Sequence, residues 1–223
     1  LTGKLGREPG ENAGRYELNE GSLGNSNYFI ENFESAYLTI TPKAIVVDPD
    51  DPNLDITYDV DKVYDGTREL DADSSLKITI DGQTIQLSWD DAEFDDPNVD
   101  DVKEVTFYDV TGTSEDGNYV IDMNRLRLDA KGAIKSRDLT ISGITANDRS
   151  YNGKNDLSVT LTYLGIKYEN RIEGDEVWLN TDLVQAQFAD GNAGIHDVYI
   201  SNLILTGADV DVSNYTLTNT TLT

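Results

Sequence analysis

The chain repeats itself, and that restricts its fold more than any other feature. Tyr64-Asp65-Gly66-Thr67 is echoed 87 residues later by Tyr151-Asn152-Gly153-Lys154. An Asn-Tyr pair occurs as Asn27-Tyr28-Phe29-Ile30, Asn118-Tyr119-Val120-Ile121 and Asn214-Tyr215-Thr216-Leu217. Upstream of these pairs lie Gly10-Glu11-Asn12-Ala13-Gly14-Arg15-Tyr16, Asn98-Val99-Asp100-Asp101-Val102 and Gly191-Asn192-Ala193-Gly194-Ile195. One such match is chance-level; several in one order, at a period of about ninety residues, are internal repetition. The physical reading is a turn followed by a returning strand, with Asn and Gly tolerating left-handed backbone and the later Asn capping the next turn.

Each unit is built of short alternating segments. Lys77-Ile78-Thr79-Ile80, the turn Asp81-Gly82 and Thr84-Ile85-Gln86-Leu87-Ser88-Trp89 read as a hairpin, because Asp-Gly supplies the positive φ angles of a tight turn. Val105–Val110, Leu157–Tyr163 and Val198–Leu205 alternate with period two, which sets one face on a core and the other in water. Asp182–Ala189 suits a short helix or a strand equally well. Many short strands with frequent turns predict an all-β fold of sandwiches. The 38% hydrophobic content supports several modest cores better than one large one.

The repeat sets the expected boundaries. Residues 1–45 hold the closing half of a module, 46–143 a second module and 144–223 a third. The Pro- and Asp-rich Val47-Asp48-Pro49-Asp50-Asp51-Pro52-Asn53 suits a stiff junction. The start at Leu1 and the threonine-rich end read as cuts in a longer protein.

These residues resemble two known repeat families. Leu1-Thr2-Gly3 through Arg7-Glu8-Pro9-Gly10-Glu11-Asn12-Ala13-Gly14-Arg15-Tyr16 to Leu38-Thr39-Ile40-Thr41-Pro42-Lys43-Ala44 is similar to the end of an MBG repeat. Lys62-Val63-Tyr64-Asp65-Gly66-Thr67 resembles the opening of a YDG repeat, and Arg149-Ser150-Tyr151-Asn152-Gly153-Lys154 a second, with Asn in place of the usual Asp. Such repeats stand in tandem in very long bacterial surface proteins, including filamentous-haemagglutinin-like adhesins. The resemblance implies tandem immunoglobulin-like β-sandwich modules at the cell surface, used as a stalk or adhesive array, without catalytic residues. The Asp-rich insertion Phe94-Asp95-Asp96-Pro97-Asn98 departs from the pattern.

Composition excludes several classes of partner. With 42 acidic and 17 basic residues the net charge is −25, which repels nucleic acid and anionic lipid. Cysteine is absent, which removes disulfides and thiolate metal sites and fits bacterial surface repeats and cytosolic proteins alike. No apolar run approaches the ~20 residues needed to cross a bilayer.

Chemistry is sparse. The sole histidine, His196, lies beside Asp197 in an expected turn, and no Gly-x-Ser-x-Gly elbow accompanies it. Gly153-Lys154-Asn155 lacks the spacing and hydroxyl of a phosphate loop. Trp89 and Trp178 each stand near carboxylates, but their 89-residue separation matches the repeat and predicts equivalent core positions. Calcium is the ion that clustered Asp oxygens would suit, with Asp48, Asp50, Asp51, Asp59, Asp61, Asp95 and Asp96 as candidate ligands, although none follows the EF-hand spacing; Asp209 and Asp211 have the same composition. A Lys–Asn or Lys–Asp crosslink would need a buried lysine.

The expected function is therefore a non-enzymatic, extracellular bacterial repeat array acting as spacer or in adhesion. A binding module for glycan or host surface protein is the alternative, with Tyr163, Tyr168, Trp178 and Tyr199 as candidate contact aromatics. A carbohydrate-processing enzyme would need two close carboxylates in an apolar cleft. The incomplete first module would expose strand edges and invite pairing with another copy of the chain.

Overall fold

A computed structural model of the chain describes residues 1–153 and 156–222. Lys154 and Asn155, which belong to the second Tyr-Asn-Gly motif, and Thr223 lie outside the described residues. The fold is all-β: among the described residues the helical content is one 3-10 turn at Val212–Asn214. Several sheets form and none closes on itself. No helix is long and apolar enough to cross a membrane among the described residues.

The chain divides into two compact units that interleave along the sequence. The first comprises Leu1–Val60, Glu69–Asp95 and Glu104–Ala130; the second comprises Asp61–Arg68, Asp96–Lys103 and Lys131–Thr223.

In the first unit β1 (Gly6–Arg7), β2 (Gly14–Asn19) and β3 (Tyr37–Ile40) form an antiparallel sheet in that order. β4 (Lys43–Ile45) and β5 (Asp55–Asp59) follow, then β6 (Lys62–Val63), which belongs to the second unit. β7 (Ser75–Ile80) lies between β5 and β8 (Gln83–Gln86), both antiparallel to it. The predicted hairpin is real: Asp81 and Gly82 have φ of 50° and 79°, so both central residues take the left-handed turn. β9 (Asp91–Phe94), β10 (Asp100–Thr113) and β11 (Tyr119–Lys135) complete a sheet of order β4-β11-β10-β9, with β4 parallel to the start of β11. Alternation does what it predicts here. Leu76 and Ile78 are buried while Lys77 and Thr79 face out, and Phe94, Val105, Phe107 and Ile121 close the core. Each such side chain contributes about 1.5–3 kcal/mol by leaving water.

In the second unit β6 runs parallel to the end of β11, with Lys62 opposite Ile134. The centre is β12 (Arg137–Ala146), antiparallel to β13 (Leu161–Thr162) and β14 (Lys167–Glu169) and parallel to β19 (Tyr215–Leu222). β15 (Glu176–Leu179) pairs with β18 (Leu205–Ala208), and β16 (Gln185–Phe188) with β17 (Val198–Ser201). Ile141, Ile144 and Leu179 are the buried centre, with Tyr163, Tyr168 and Leu217 packed against it.

Several expected strands are shorter than their apolar pattern. Leu157–Tyr163 contributes only β13 and an isolated bridge at Ser158. Val198–Leu205 breaks at Asn202, whose φ of 57° turns the chain out of the extended conformation. Asp182–Ala189 becomes a turn and then β16. Tyr28–Ile30 makes no strand.

Candidate functional site

Asn118 and Asn214, from the repeated Asn-Tyr pairs, perform the same task in the two units. A side-chain amide carries one acceptor and a donor side by side, as a peptide group does, so it can pair with a dipeptide as a neighbouring strand would. Within the first unit the Asn118 Oδ1 accepts from the Ala13 N–H at 2.6 Å, and its Nδ2 donates to the Asn12 Oδ1 at 3.0 Å. Within the second unit the Asn214 Oδ1 accepts from the Val99 N–H at 2.8 Å, and its Nδ2 donates to the Asn98 Oδ1 at 2.9 Å. Each asparagine therefore clasps an Asn-Ala or Asn-Val step lying in one of the turns that the sequence repeats. Asn214 is wholly buried.

Local chemistry holds both halves in place. The Asn118 N–H donates to the Asp116 Oδ1 at 3.0 Å, and the Ser114 hydroxyl donates to the same oxygen at 2.6 Å. These hydrogen bonds pull the Asp116 carboxyl down to about 2. Asp211 accepts from the Ser213 N–H and through its carbonyl from Asn214, so a 3-10 turn presents the second asparagine. On the receiving side the Asn98 N–H donates to the Asp96 Oδ1 at 2.7 Å. The other Asp96 oxygen meets the buried Lys103 ammonium at 2.7 Å. Burial alone would raise Asp96, but the Lys103 and Asn98 hydrogen bonds outweigh it and hold the carboxyl below its ordinary value.

The tyrosine beside each clasp is anchored as well. The Tyr119 hydroxyl donates to Asp81 at 2.5 Å. In the second unit the Tyr215 and Tyr64 hydroxyls both donate to the Asp175 Oδ2, at 2.6 and 3.0 Å, and the two rings meet edge-on at 5.5 Å. Burial and the Asp175 hydrogen bond raise both phenols, Tyr64 to about 12 and Tyr215 further. Lys62, also buried, pairs with Asp65 at 2.8 Å and donates to the Thr67 hydroxyl at 3.0 Å, which fixes the Tyr64-Asp65-Gly66-Thr67 loop. Burial opposes ionisation of Asp65, yet the Lys62 and Thr67 hydrogen bonds lower it overall.

The YDG domain family matches residues 48–125 and again residues 135–222. The chain belongs to the YDG domain family. No curated protein and no solved structure matches it significantly.

The clasp of the second unit thus joins the two YDG repeats, since Asn98 and Val99 belong to the first match and Asn214 to the second. The sequence displays every participant as a recurring motif but not their pairing. The partners are separated by 105 and 106 residues in one clasp and by 115 and 116 in the other, and recurrence alone does not say which copy meets which.

The candidate calcium ligands are dispersed. Asp48 accepts from the Asp50 N–H and Asp51 from the Asn53 N–H and amide, so both cap the turns of their own loop. Asp59 ends β5, Asp61 pairs with Lys135 at 2.5 Å, the Asp95 N–H donates to Glu104, and Asp96 holds Lys103. Asp50 sits exposed in the turn that Asp48 caps, and Asp211 caps the 3-10 turn. Among the described residues no group of three or more acidic or histidine side chains gathers around one point.

His196 is a brace within its turn. Its Nε2 lies 2.8 Å from the Asn192 carbonyl and its Nδ1 3.2 Å from Asp190. The Asn192 carbonyl, which can only accept, takes the ring's N–H at Nε2 and so holds the imidazole within the loop. Trp89 packs edge-on against Phe107, whereas Trp178 is 39% exposed on β15, so the two tryptophans are not equivalent core residues. Of the other aromatics, Tyr163 and Tyr168 pack on the core and Tyr199 is exposed.

Proposed function

We propose that the chain is a non-catalytic repeat region of a secreted or surface-anchored bacterial adhesin, serving as stalk or spacer. The YDG domain occurs in repeat-containing surface proteins, and two copies stand in tandem here. The observation that carries the reading is the Asn214 clasp. A wholly buried asparagine of one repeat spends its amide on the turn of the repeat before it, which suits repeats that must stay in register under load rather than swing freely. In this reading residues 46–143 and 144–223 are immunoglobulin-like sandwich modules and residues 1–45 close an MBG-like one.

Force spectroscopy on the full chain tests it. Asn214→Ala is expected to lower the rupture force of the second unit clearly, because the Val99 N–H loses its acceptor. An unchanged force trace would remove the support for a load-bearing role.

A second reading, a glycan- or host-protein-binding module, is favoured by the exposed Trp178 and Tyr199, at 39% and 59%. Saturable glycan binding that Trp178→Ala or Tyr199→Ala abolishes would replace the stalk reading with this one.

A further inference from the structure

The two Tyr-x-Gly loops of the second unit differ at one chemically consequential position. Asp65 stands between Tyr64 and Gly66, and Asn152 between Tyr151 and Gly153; Asn152-Gly153 is the sole Asn-Gly step in the sequence. We propose that Asn152 is a self-modification site, deamidating spontaneously to an aspartyl residue that Arg149 holds as Lys62 holds Asp65.

The two loops share a turn and a cation. Gly66 and Gly153 have φ of 80° and 73°, so the chain takes the same left-handed step after Asp65 and after Asn152. Lys62 stands three residues before Asp65, and Arg149 three before Asn152. In the first loop the carboxylate is pinned. Lys62 meets the Asp65 Oδ1 at 2.8 Å, and the Thr67 N–H and hydroxyl donate to the same oxygen, each at 2.8 Å. In the second loop the cation is underused. The Arg149 guanidinium lies over the Phe188 ring at 5.4 Å and donates through Nη2 to the Asp156 carbonyl. Its buried Nε–H has no hydrogen-bond partner among the described residues. A carboxylate answers a guanidinium more strongly than an amide oxygen does.

The loop also supplies what the reaction needs. The nucleophile is the Gly153 backbone nitrogen and the electrophile is the Asn152 Cγ. Both residues are exposed, and the Gly153 N–H has no hydrogen-bond partner among the described residues. Glycine has no side chain to crowd its nitrogen and leaves the backbone free to reach the ring geometry. The nitrogen gives up its proton and bonds to Cγ, and ammonia leaves, closing a five-membered succinimide. Water then opens the ring at either carbonyl, giving an aspartyl or an isoaspartyl residue. One water is consumed, one ammonia is released and one carboxylate is gained. Because the attacking nitrogen must be deprotonated, the rate rises with pH. Asn118 and Asn214 are protected by contrast, since their amides are held in the clasps and a tyrosine follows each.

The product changes the loop's electrostatics. The Asn152 Nδ2 now donates to the Asp156 Oδ2 at 3.1 Å. Hydrogen bonds from Ser158, then the Asn152 amide and the Arg149 charge, hold the Asp156 carboxyl below its ordinary value. Deamidation removes the amide donor and sets a second carboxylate beside the first. Arg149, already bonded to Asp156, is the cation that offsets the pair. This chemistry does not depend on the stalk reading.

Peptide mapping by mass spectrometry, on the folded full chain incubated at neutral and at mildly alkaline pH, provides the test. Conversion at Asn152 is expected to run several times faster than at any other asparagine, to accelerate in alkali and to give both aspartyl and isoaspartyl products. Gly153→Ala is expected to slow it and Asn152→Gln to abolish it, with circular dichroism verifying both folds. Conversion no faster than at Asn25, which is exposed and precedes the small Ser26, would overturn the site. Melting curves test the counterion. Asn152→Asp is expected to melt at or above the wild type while Arg149 is present, and below its parent in an Arg149→Met background. An Asn152→Asp chain that melts below the wild type, or that shifts equally in both backgrounds, would overturn the role of Arg149.

Discussion

Asn214 and Tyr215 are adjacent, buried and polar, and the surroundings of each explain why a polar side chain is kept there. Replacing a buried group that satisfies a donor leaves that donor dry, at about 1–3 kcal/mol, while a matched pair is nearly neutral. The same reasoning gives Tyr64 and Tyr215 a signature in alkali. Their folded-state phenols titrate above the ordinary value near 10, Tyr64 at about 12 and Tyr215 higher, through burial and the Asp175 carboxylate. A raised folded value means that the stabilisation is complete below about pH 10 and is lost as pH climbs through 12. Denaturant midpoints measured between pH 8 and pH 12 should therefore fall steeply at the top of that range for the wild type. In Tyr215→Phe the midpoint should start lower and fall less. A variant with the full alkaline slope would show that the tyrosine pair does not set it.

Among the elements, legibility follows the distance over which each is determined. The β7–β8 hairpin is readable because Asp81-Gly82 dictates its turn locally, and the alternation of Leu76 and Ile78 picks its buried face. Leu157–Tyr163 carries equal alternation, yet only Leu161 and Thr162 find a ladder, because β12 offers just Thr145 and Ala146 opposite them. A periodic pattern states which side would face a core, not whether a partner strand reaches it. The clasps are illegible for the same reason, being contacts between two different motifs more than a hundred residues apart. Two glycines let element-scale constraints be compared. Gly82 has φ of 79° and open space where a Cβ would stand, whereas at Gly143, with φ of 78°, a Cβ would lie 2.0 Å from the Gly165 carbonyl oxygen. Gly82→Ala is expected to cost about 1–2 kcal/mol from backbone conformation alone. Gly143→Ala should cost distinctly more, because β12 must also part from the neighbouring loop. Equal losses in chemical denaturation would show that β12 yields at the Gly143 bulge.

At the scale of the whole molecule the net charge of −25 sets the balance of forces. Ion pairs such as Lys103–Asp96 are attractive, but 42 acidic residues against 17 basic ones leave repulsion as the larger long-range term. Screening weakens attraction and repulsion together, and its range shrinks from about 30 Å at 0.01 M salt to about 8 Å at 0.15 M. Long-range repulsion is relieved first, while the pairs made by the buried Lys62 and Lys103, at contact distance, are screened less. The melting temperature should accordingly rise with sodium chloride over this range, and a fall would mean that exposed ion pairs outweigh the excess charge. The same titration addresses calcium. Asp48, Asp51 and Asp96 already use carboxylate oxygens to cap turns or hold Lys103. An ion seeking six to eight oxygens would have to compete with those bonds or be completed by water. At matched ionic strength calcium is therefore expected to raise the melting temperature no more than sodium does. A further rise that chelator reverses would place ion sites in these acidic loops and make the rigidity of the array depend on metal.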